Sequence, residues 1–576
     1  MHDRERHCGF RRRGVWLLMP TIEVNYQDLQ SLIGTHVPLD VLQEEGIMYA
    51  KGEVEGIEGE VLKLDMKDTN RPDLWSAEGI ARELAGRYAA VRGVPRYGVK
   101  PSGLVVKVDR KLEKIRPLTV CAVVRNLNIT PDVLSQMIQL QEKISMTFGR
   151  NRKEVAIGVY DLHKITSPVR FTSVRPDGIR FVPLESDSEM TPAEILKKHP
   201  KGLEYAGLLK GLSEYPIFID AAGEVLSMPP IINSGHTGKV TTATRDVFIE
   251  CSGFDFKFLS PALSVIAAAL ADRGGELQSV RVEYHDGVKV TPDMKPGKAV
   301  VDVAYAKGIT GLSLSAKDMC GLLSAARYDA SVKGKKIEVV YPAYRQDIMH
   351  QRDVIEDILI SYGYNRVEPS VPRIATIGSE MPLEAFCASV AEVMVGLGFQ
   401  ETLSYMLTNK GNLLTKMGIG ASKVVEIENF VSSNWCVFRN WLLPCNLEFL
   451  SCNMHREYPQ QIFEIGDVVV PDGGAETRAR DERRISASVS GSRVGYESMS
   501  SVLEALMQSL GASYELSATA NPSFIDGRTA EVVCGGDVVG IIGEVHPKVL
   551  NNWKLEKPVA SFELNLDKIL KLCVEK

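Results

Sequence analysis

The spacing of apolar and polar residues divides the chain into segments of recognisable type. In the stretch DVIEDILISY, 353–362, Val354, Ile355, Ile358, Leu359 and Tyr362 recur at the i, i+3, i+4 intervals of a buried helical stripe. Asp353, Glu356 and Asp357 fall on the other side, and Ile360 lies among them. An apolar residue in register with carboxylates predicts that the acidic face is covered by another domain, a cation or a subunit. Asp347 lies just upstream, in a segment that Pro342 sets as extended.

The same reading continues along the chain. TIEVNYQDLQSLIG predicts a strand and a short helix stopped by Gly34, and EGEVLKLDMK alternates as a strand. Residues 74–88 predict a helix capped by Asp73, with Ile80, Leu84 and Tyr88 on one face. The Pro, Gly and Lys content of 96–116 predicts a connection. PLTVCAVVRNLNI then predicts a strand and TPDVLSQMIQLQEKISMTFG a helix. YPIFIDAAGEVLSMPP reads as two strands around a turn at Ala222 and Gly223, closed by a Pro-Pro break. SPALSVIAAALADRGG is a helix ended by Gly274 and Gly275, and 280–297 reads as a crossing to the next unit. A small domain of strands, a helix and the acidic helix follows, winged-helix-like or split βαβ. Beyond a proline-containing linker at 367–384, Phe386, Val390, Val393 and Leu397 keep a helical period. The charged stretch 471–484 predicts a mobile loop, and VCGGDVVGIIGEVHPKVL predicts a hairpin leading to a helix.

Composition narrows the class. The 576 residues are enough for several domains, and the formal charge of −6 excludes a protein coated with basic residues. Any nucleic-acid contact must use local patches. The ten cysteines include no C-x-x-C pair, which points to reduced thiols in a cytoplasmic protein and gives no zinc site. The longest apolar run, near 263–271, is too short to span a bilayer, so no membrane is expected. Residues 1–18 are basic and without pattern; the apolar VWLL within them is too short for an export signal, and a disordered extension is expected.

Three groups of residues carry candidate chemistry. Four carboxylates, Asp347, Asp353, Glu356 and Asp357, lie within eleven residues and repel one another unless something positive sits among them. Hard oxygen donors at this density suit Mg²⁺, which usually takes one or two carboxylates and keeps several waters. A solvated acidic face, favoured by the helix macrodipole, accounts for the same spacing. Arg150, Arg152 and Lys153 form the densest local basic patch, suited to backbone contact with RNA or to an exposed charged loop. In the C-terminal third, GDVVGIIGEVHPKVL carries glycines but no arginine after Gly543, so nothing there faces a triphosphate.

The run 341–364 resembles the signature of the β subunit of phenylalanyl-tRNA synthetase, archaeal and eukaryotic type. NRPDLWSAEGIAREL and the R-x-x-LLP frame with FEIGDV fit the same family, in order, from Met19 onward. The resemblance implies an α+β, multidomain fold. Its parts are an N-terminal module at 19–100, a tRNA-editing domain at 117–275, a small acidic-helix domain at 290–367, and at 380–576 a class II synthetase-like antiparallel sheet core without catalytic motifs. It implies Mg²⁺ on Asp347, Asp353, Glu356 and Asp357, shared with an α subunit that binds ATP. It further implies a particle of two α and two β subunits acting on tRNA(Phe). Phe218, Ser227, Glu250 and Ser252 match the editing pocket. By this match Phe218 would form a wall and Ser227 orient the ester or the water. Glu250 would accept the hydroxyl of a misplaced tyrosine, and Ser252 polarise nearby groups. Glu250 and Ser252 stand where archaeal members have Asp and Thr. An apolar pocket that admits phenylalanine rejects the hydroxylated isostere only by ~10²-fold, which is why a second, hydrolytic pocket is needed. The competing expectation is a free-standing tRNA-binding or trans-editing protein with a decayed synthetase core.

Overall fold

The computed structural model describes residues 21–574, with no side chain for Val574; the extension 1–18 and the start at Met19 lie outside the described residues. The described chain forms two compact units, 21–370 and 371–574. Both mix helices and sheets.

The first unit begins with an antiparallel sheet of β1 (Thr21–Asn25), β2 (Gly52–Glu58) and β3 (Val61–Met66), with β3 central. The helix Ala77–Tyr88 behind it is buried from Ala77 to Gly86 on every side. Its glycines explain how. A Cβ at Gly79 would stand 1.7 Å from the Asp73 carbonyl oxygen, and one at Gly86 would stand 2.0 Å from that of Ala325. The helix starts later than the sequence suggests: Ser76 is the N-cap, accepting from the Gly79 amide, while Asp73 sits in a preceding turn bound to Arg71.

A ten-stranded sheet follows. Its strands are β4 (Lys100–Val108), β5 (Leu118–Arg125), β6 (Val155–Asp161), β7 (Val169–Val174), β8 (Tyr215–Ile219), β9 (Val225–Met228), β10 (Ile232–Asn233), β11 (Val247–Gly253), β12 (Glu276–Tyr284) and β13 (Gly287–Thr291). Apart from β13, which pairs with β12, their spatial order is β10-β9-β8-β7-β4-β12-β5-β11-β6. This corrects two expectations. The segment read as a connection at 96–116 supplies β4, and the crossing at 280–297 lies partly in β12 and β13, so the sheet extends past the 117–275 limits at both ends. The reason is non-local: β4 runs parallel to β12, from Gln278 opposite Lys100 to Glu283 opposite Lys107. The apolar helix Phe256–Asp272 covers the other side of β5 and β11.

The unit closes with an antiparallel sheet of β14 (Gly297–Asp302), β15 (Asp329–Lys333) and β16 (Lys336–Tyr341), packed on the helix Gln351–Tyr362 through Val354, Ile355 and Ile358.

The second unit is built on seven strands. Its longest pair is β17 (Gln460–Pro471) and β18 (Ala479–Ser490), and β19 (Val559–Asn565), the middle strand of the sheet, pairs with β18. The charged segment read as a mobile loop is a connection only at 472–478; the rest of it, Pro471 and the start of β18 from Ala479, is strand. It is held there because Arg480 and Arg484 clamp Glu482 between them, at 2.7 and 2.6 Å. The hairpin expected around Gly535 and Gly536 is present, followed by the helix Pro547–Asn552.

Candidate functional site

The strand β11 lies between β5 and β6, and every one of its residues is buried. Glu250 stands opposite Gly158 in register, and Phe248 opposite Tyr160. Gly158 has a steric role. A Cβ at this position would lie 2.0 Å from the Tyr160 phenol oxygen, so only glycine lets Tyr160 lean back along β6 toward Glu250. The phenol lies 3.1 Å from Glu250 Oε1 and donates to Ser227 Oγ at 2.7 Å, while its ring packs on Phe248 with centroids 5.8 Å apart. Glu250 is 2% exposed, and its second oxygen, Oε2, has no partner within hydrogen-bond distance, the Ser252 hydroxyl acting on the carboxyl from farther off. Burial pushes the carboxyl up to about 8, against the pull of the Arg116 guanidinium and the hydroxyls of Tyr160 and Ser252.

Ser227 and Glu250 open onto a cavity of about 280 Å³, whose wall also includes Arg152, Gln141, Met137 and Pro230. The site is thus part apolar and part polar, as a pocket for a small organic group would be. The other two expected pocket residues are elsewhere. Phe218 is fully buried and stacks face to face on Phe171 at 4.1 Å; it supports Ser227, its register partner, but does not line the cavity. Ser252 is also set back from the cavity and accepts from Arg116 Nε at 3.1 Å. Arg116 further donates to the carbonyls of Arg152 and Lys153, at 3.3 and 3.1 Å, and burial brings its guanidinium down to about 10. Sequence reasoning missed Tyr160, Gly158 and Arg116. The G-x-Y spacing of IGVY was the available signal for the first two.

The basic patch divides. Arg150, Asn151 and Arg152 take left-handed backbone conformations in succession, with φ of 50°, 54° and 65°. Arg152 turns inward, donating to the carbonyls of Pro230 and Ile231 at 3.3 and 2.8 Å and lying 4.3 Å over the Tyr205 ring. It ties the loop to the cavity wall, which its charge alone did not indicate. Arg150 and Lys153 remain exposed.

The acidic face is covered in part, at Asp357 and Ile360, and there the charge partners come from the chain itself, while Glu356 stays exposed. Arg345 binds both oxygens of Asp347 at 2.8 and 2.6 Å and reaches Asp357 at 2.8 Å. Tyr328 donates its hydroxyl to Asp357. Arg71, paired with Asp73, approaches Asp347 to 4.0 Å, and Lys51 bridges Asp68 and Glu356 at 2.8 and 3.3 Å. Burial pushes the Asp357 carboxyl upward, but Arg345, Arg71 and Lys51 outweigh it and hold the group well below the usual range. Asp353 caps its own helix, one oxygen accepting from the amides of Met349 and His350 at 2.8 and 2.6 Å. Among the described residues no three His, Cys, Asp or Glu side chains form a group able to hold a metal. Asp347 and Asp357 are ion-paired to Arg345, Asp353 caps its helix and Glu356 pairs with Lys51, so within this chain the four acids do not converge on one point. The positive charge they require is supplied by guanidinium and ammonium groups, and as placed the donor set does not fit a cation.

In the second unit Arg439 is buried and turned inward, toward Glu464 at 2.6 Å, Ser404 at 2.8 Å and the Asp467 carbonyl at 2.8 Å. Leu403, Tyr405 and Val431 of the same unit are 83, 77 and 86% exposed, with Trp435 edge-on to Tyr405 at 5.2 Å. Among the described residues no helix is long and apolar enough to cross a membrane.

Comparison with known proteins places these features. Residues 106–261 match the B3/4 domain, residues 299–364 the tRNA synthetase B5 domain, and residues 367–566 the phenylalanyl tRNA synthetase beta chain CLM domain. The chain is 46% identical over 552 residues to the phenylalanine–tRNA ligase beta subunit of Pyrococcus abyssi, covering 95% of this chain and 99% of the relative. It is 44% identical to that of Thermococcus sibiricus, with 95 and 98% covered. Among solved structures, the N-terminal fragment of the phenylalanyl-tRNA synthetase beta-subunit from Pyrococcus horikoshii is 46% identical with a TM-score of 0.58. That match covers 60% of this chain and 100% of the fragment.

Proposed function

The chain belongs to the family of phenylalanine–tRNA ligase β subunits, and from that premise we propose that it supports charging of tRNA(Phe) by an α subunit and removes tyrosine misplaced on that tRNA. The carrying observation is the cavity of the ten-stranded sheet, lined by Ser227 and by Glu250, whose carboxyl keeps one oxygen without a hydrogen-bond partner, in a wall that is part apolar and part polar. A phenylalanine ring entering there leaves Glu250 Oε2 unsatisfied. A tyrosine ring brings it a hydroxyl, and that difference is what a buried polar atom rewards. Ser227, held by Tyr160, faces the cavity beside it and orients the ester or the water. Glu250 is mostly the neutral acid at pH 7; with its proton on Oε1, toward the Tyr160 oxygen, Oε2 is a carbonyl oxygen that accepts a phenolic hydroxyl. Attack is by water. Arg150 and Lys153 supply exposed cations for the RNA backbone.

ATP and its Mg²⁺ are engaged by the α subunit, since Arg439 is committed to Glu464. Asp353 and Glu356, at the open edge of the acidic helix, are the acids left to approach a cation held by α. The particle is assigned as two α and two β subunits, working in the cytoplasm. Leu403, Tyr405 and Val431 support a partner on the second unit, because apolar side chains this exposed are expected where another chain covers them. The test is co-purification with α followed by deacylation of Tyr-tRNA(Phe). Glu250→Ala should spare charging and lower hydrolysis; unchanged hydrolysis removes the role given to Glu250.

A further inference from the structure

Tyr160 is fully buried, does not line the cavity, and yet joins the two side chains that do. A phenol has one proton and accepts through its oxygen, so it can satisfy Ser227 Oγ and Glu250 Oε1 together. This leaves one unpartnered oxygen on Glu250, Oε2. Without the phenol, Glu250 could rotate, both of its oxygens would compete for a ligand, and Ser227 would be released.

We propose that Tyr160 is a positioning residue that sets the cavity's selectivity, fixing Glu250 Oε2 as the single seat for a para-hydroxyl on an aromatic acyl group. This rests on the hydrolytic reading of the cavity. Gly158 belongs to the same device, because a side chain there would collide with the phenol oxygen at 2.0 Å and push it off Glu250. Two different changes should therefore have one effect. Tyr160→Phe removes an oxygen and keeps the ring that packs on Phe248. Gly158→Ala keeps every hydroxyl and displaces one.

The experiment uses the chain co-assembled with its α subunit and compares deacylation of Tyr-tRNA(Phe) with that of Phe-tRNA(Phe). In both variants the selectivity for the tyrosyl ester should fall by about tenfold, the magnitude of one buried hydrogen bond. The loss should appear mainly in KM for the tyrosyl ester, while charging stays at the wild-type value and the thermal midpoint of Tyr160→Phe falls only as far as the loss of one buried hydroxyl requires. Unchanged selectivity in Tyr160→Phe overturns the proposal, and so does an equal loss on both esters, which would mark a structural role. A wild-type protein that hydrolyses neither ester overturns the hydrolytic reading itself. An active wild type with an unaffected Tyr160→Phe variant overturns only the role of Tyr160.

Discussion

Replacing Glu250 by Gln isolates the energetic consequence of burying a carboxyl in this sheet. Its pKa rises from an ordinary 4.5 to about 8, chiefly through burial. Each pH unit of difference between folded and unfolded chain corresponds to about 1.4 kcal/mol, so the linkage amounts to about 5 kcal/mol. The sign follows from proton counting. Between pH 4.5 and 8 the folded protein keeps a proton on Glu250 that the unfolded chain has lost, so folding weakens as pH rises through this window. Below the window both states are protonated; above it both are ionised and the full penalty applies. Gln has the same shape and does not titrate. The variant should therefore gain stability relative to wild type as pH rises, with the difference growing by about 5 kcal/mol across the window. Denaturant titrations of both proteins at pH 5, 7 and 8.5, followed by fluorescence, measure it directly. A difference that stays flat with pH would mean that Glu250 is ionised in the fold, and the assignment of a neutral acid in the cavity would be wrong.

The arginine at the centre of the acidic joint gives a second prediction. Arg345→Leu leaves Asp347 and Asp357 buried without their cation and should destabilise the first unit by about 3–5 kcal/mol, read from the shift in denaturation midpoint. Because Asp357 is held below its ordinary 3.8, wild-type stability from this pair is present above that pH and lost as pH falls further; the variant should lack this acid-side loss. The two kinds of cation in the basic loop should also separate. Arg150→Ala and Lys153→Ala should weaken tRNA binding and lower its salt slope by about 0.7–0.9 for each phosphate that goes without its cation. Arg152→Ala should leave the slope unchanged and instead lower thermal stability, because it breaks the ties to Pro230 and Ile231.

The sequence by itself determined the kinds of element, the order of the modules and the family. The period of Val354, Ile355 and Ile358 is set by local geometry, and so is the alternation through 61–66; such patterns need no knowledge of what lies across the core. The partial covering of the acidic face, at Asp357, was legible from Ile360. What covers it was not. Arg71 and Lys51 reach the acids from segments hundreds of residues away in sequence, and an arginine two positions from an aspartate looks the same whether the pair is solvated or buried. The sheet limits failed for the same reason, since β4 is defined by its parallel partner β12 and hardly by its own composition. Within the cavity, matching polar strand residues identified Ser227 and Glu250. Only the register of β6 against β11 set a glycine opposite the acid and a tyrosine against one of its two oxygens. Chemistry in this chain is carried by residue types the sequence displays, but tertiary packing decides which of them face a cavity, which face a counter-charge and which face solvent, because burial and distance fix the energy of every polar group.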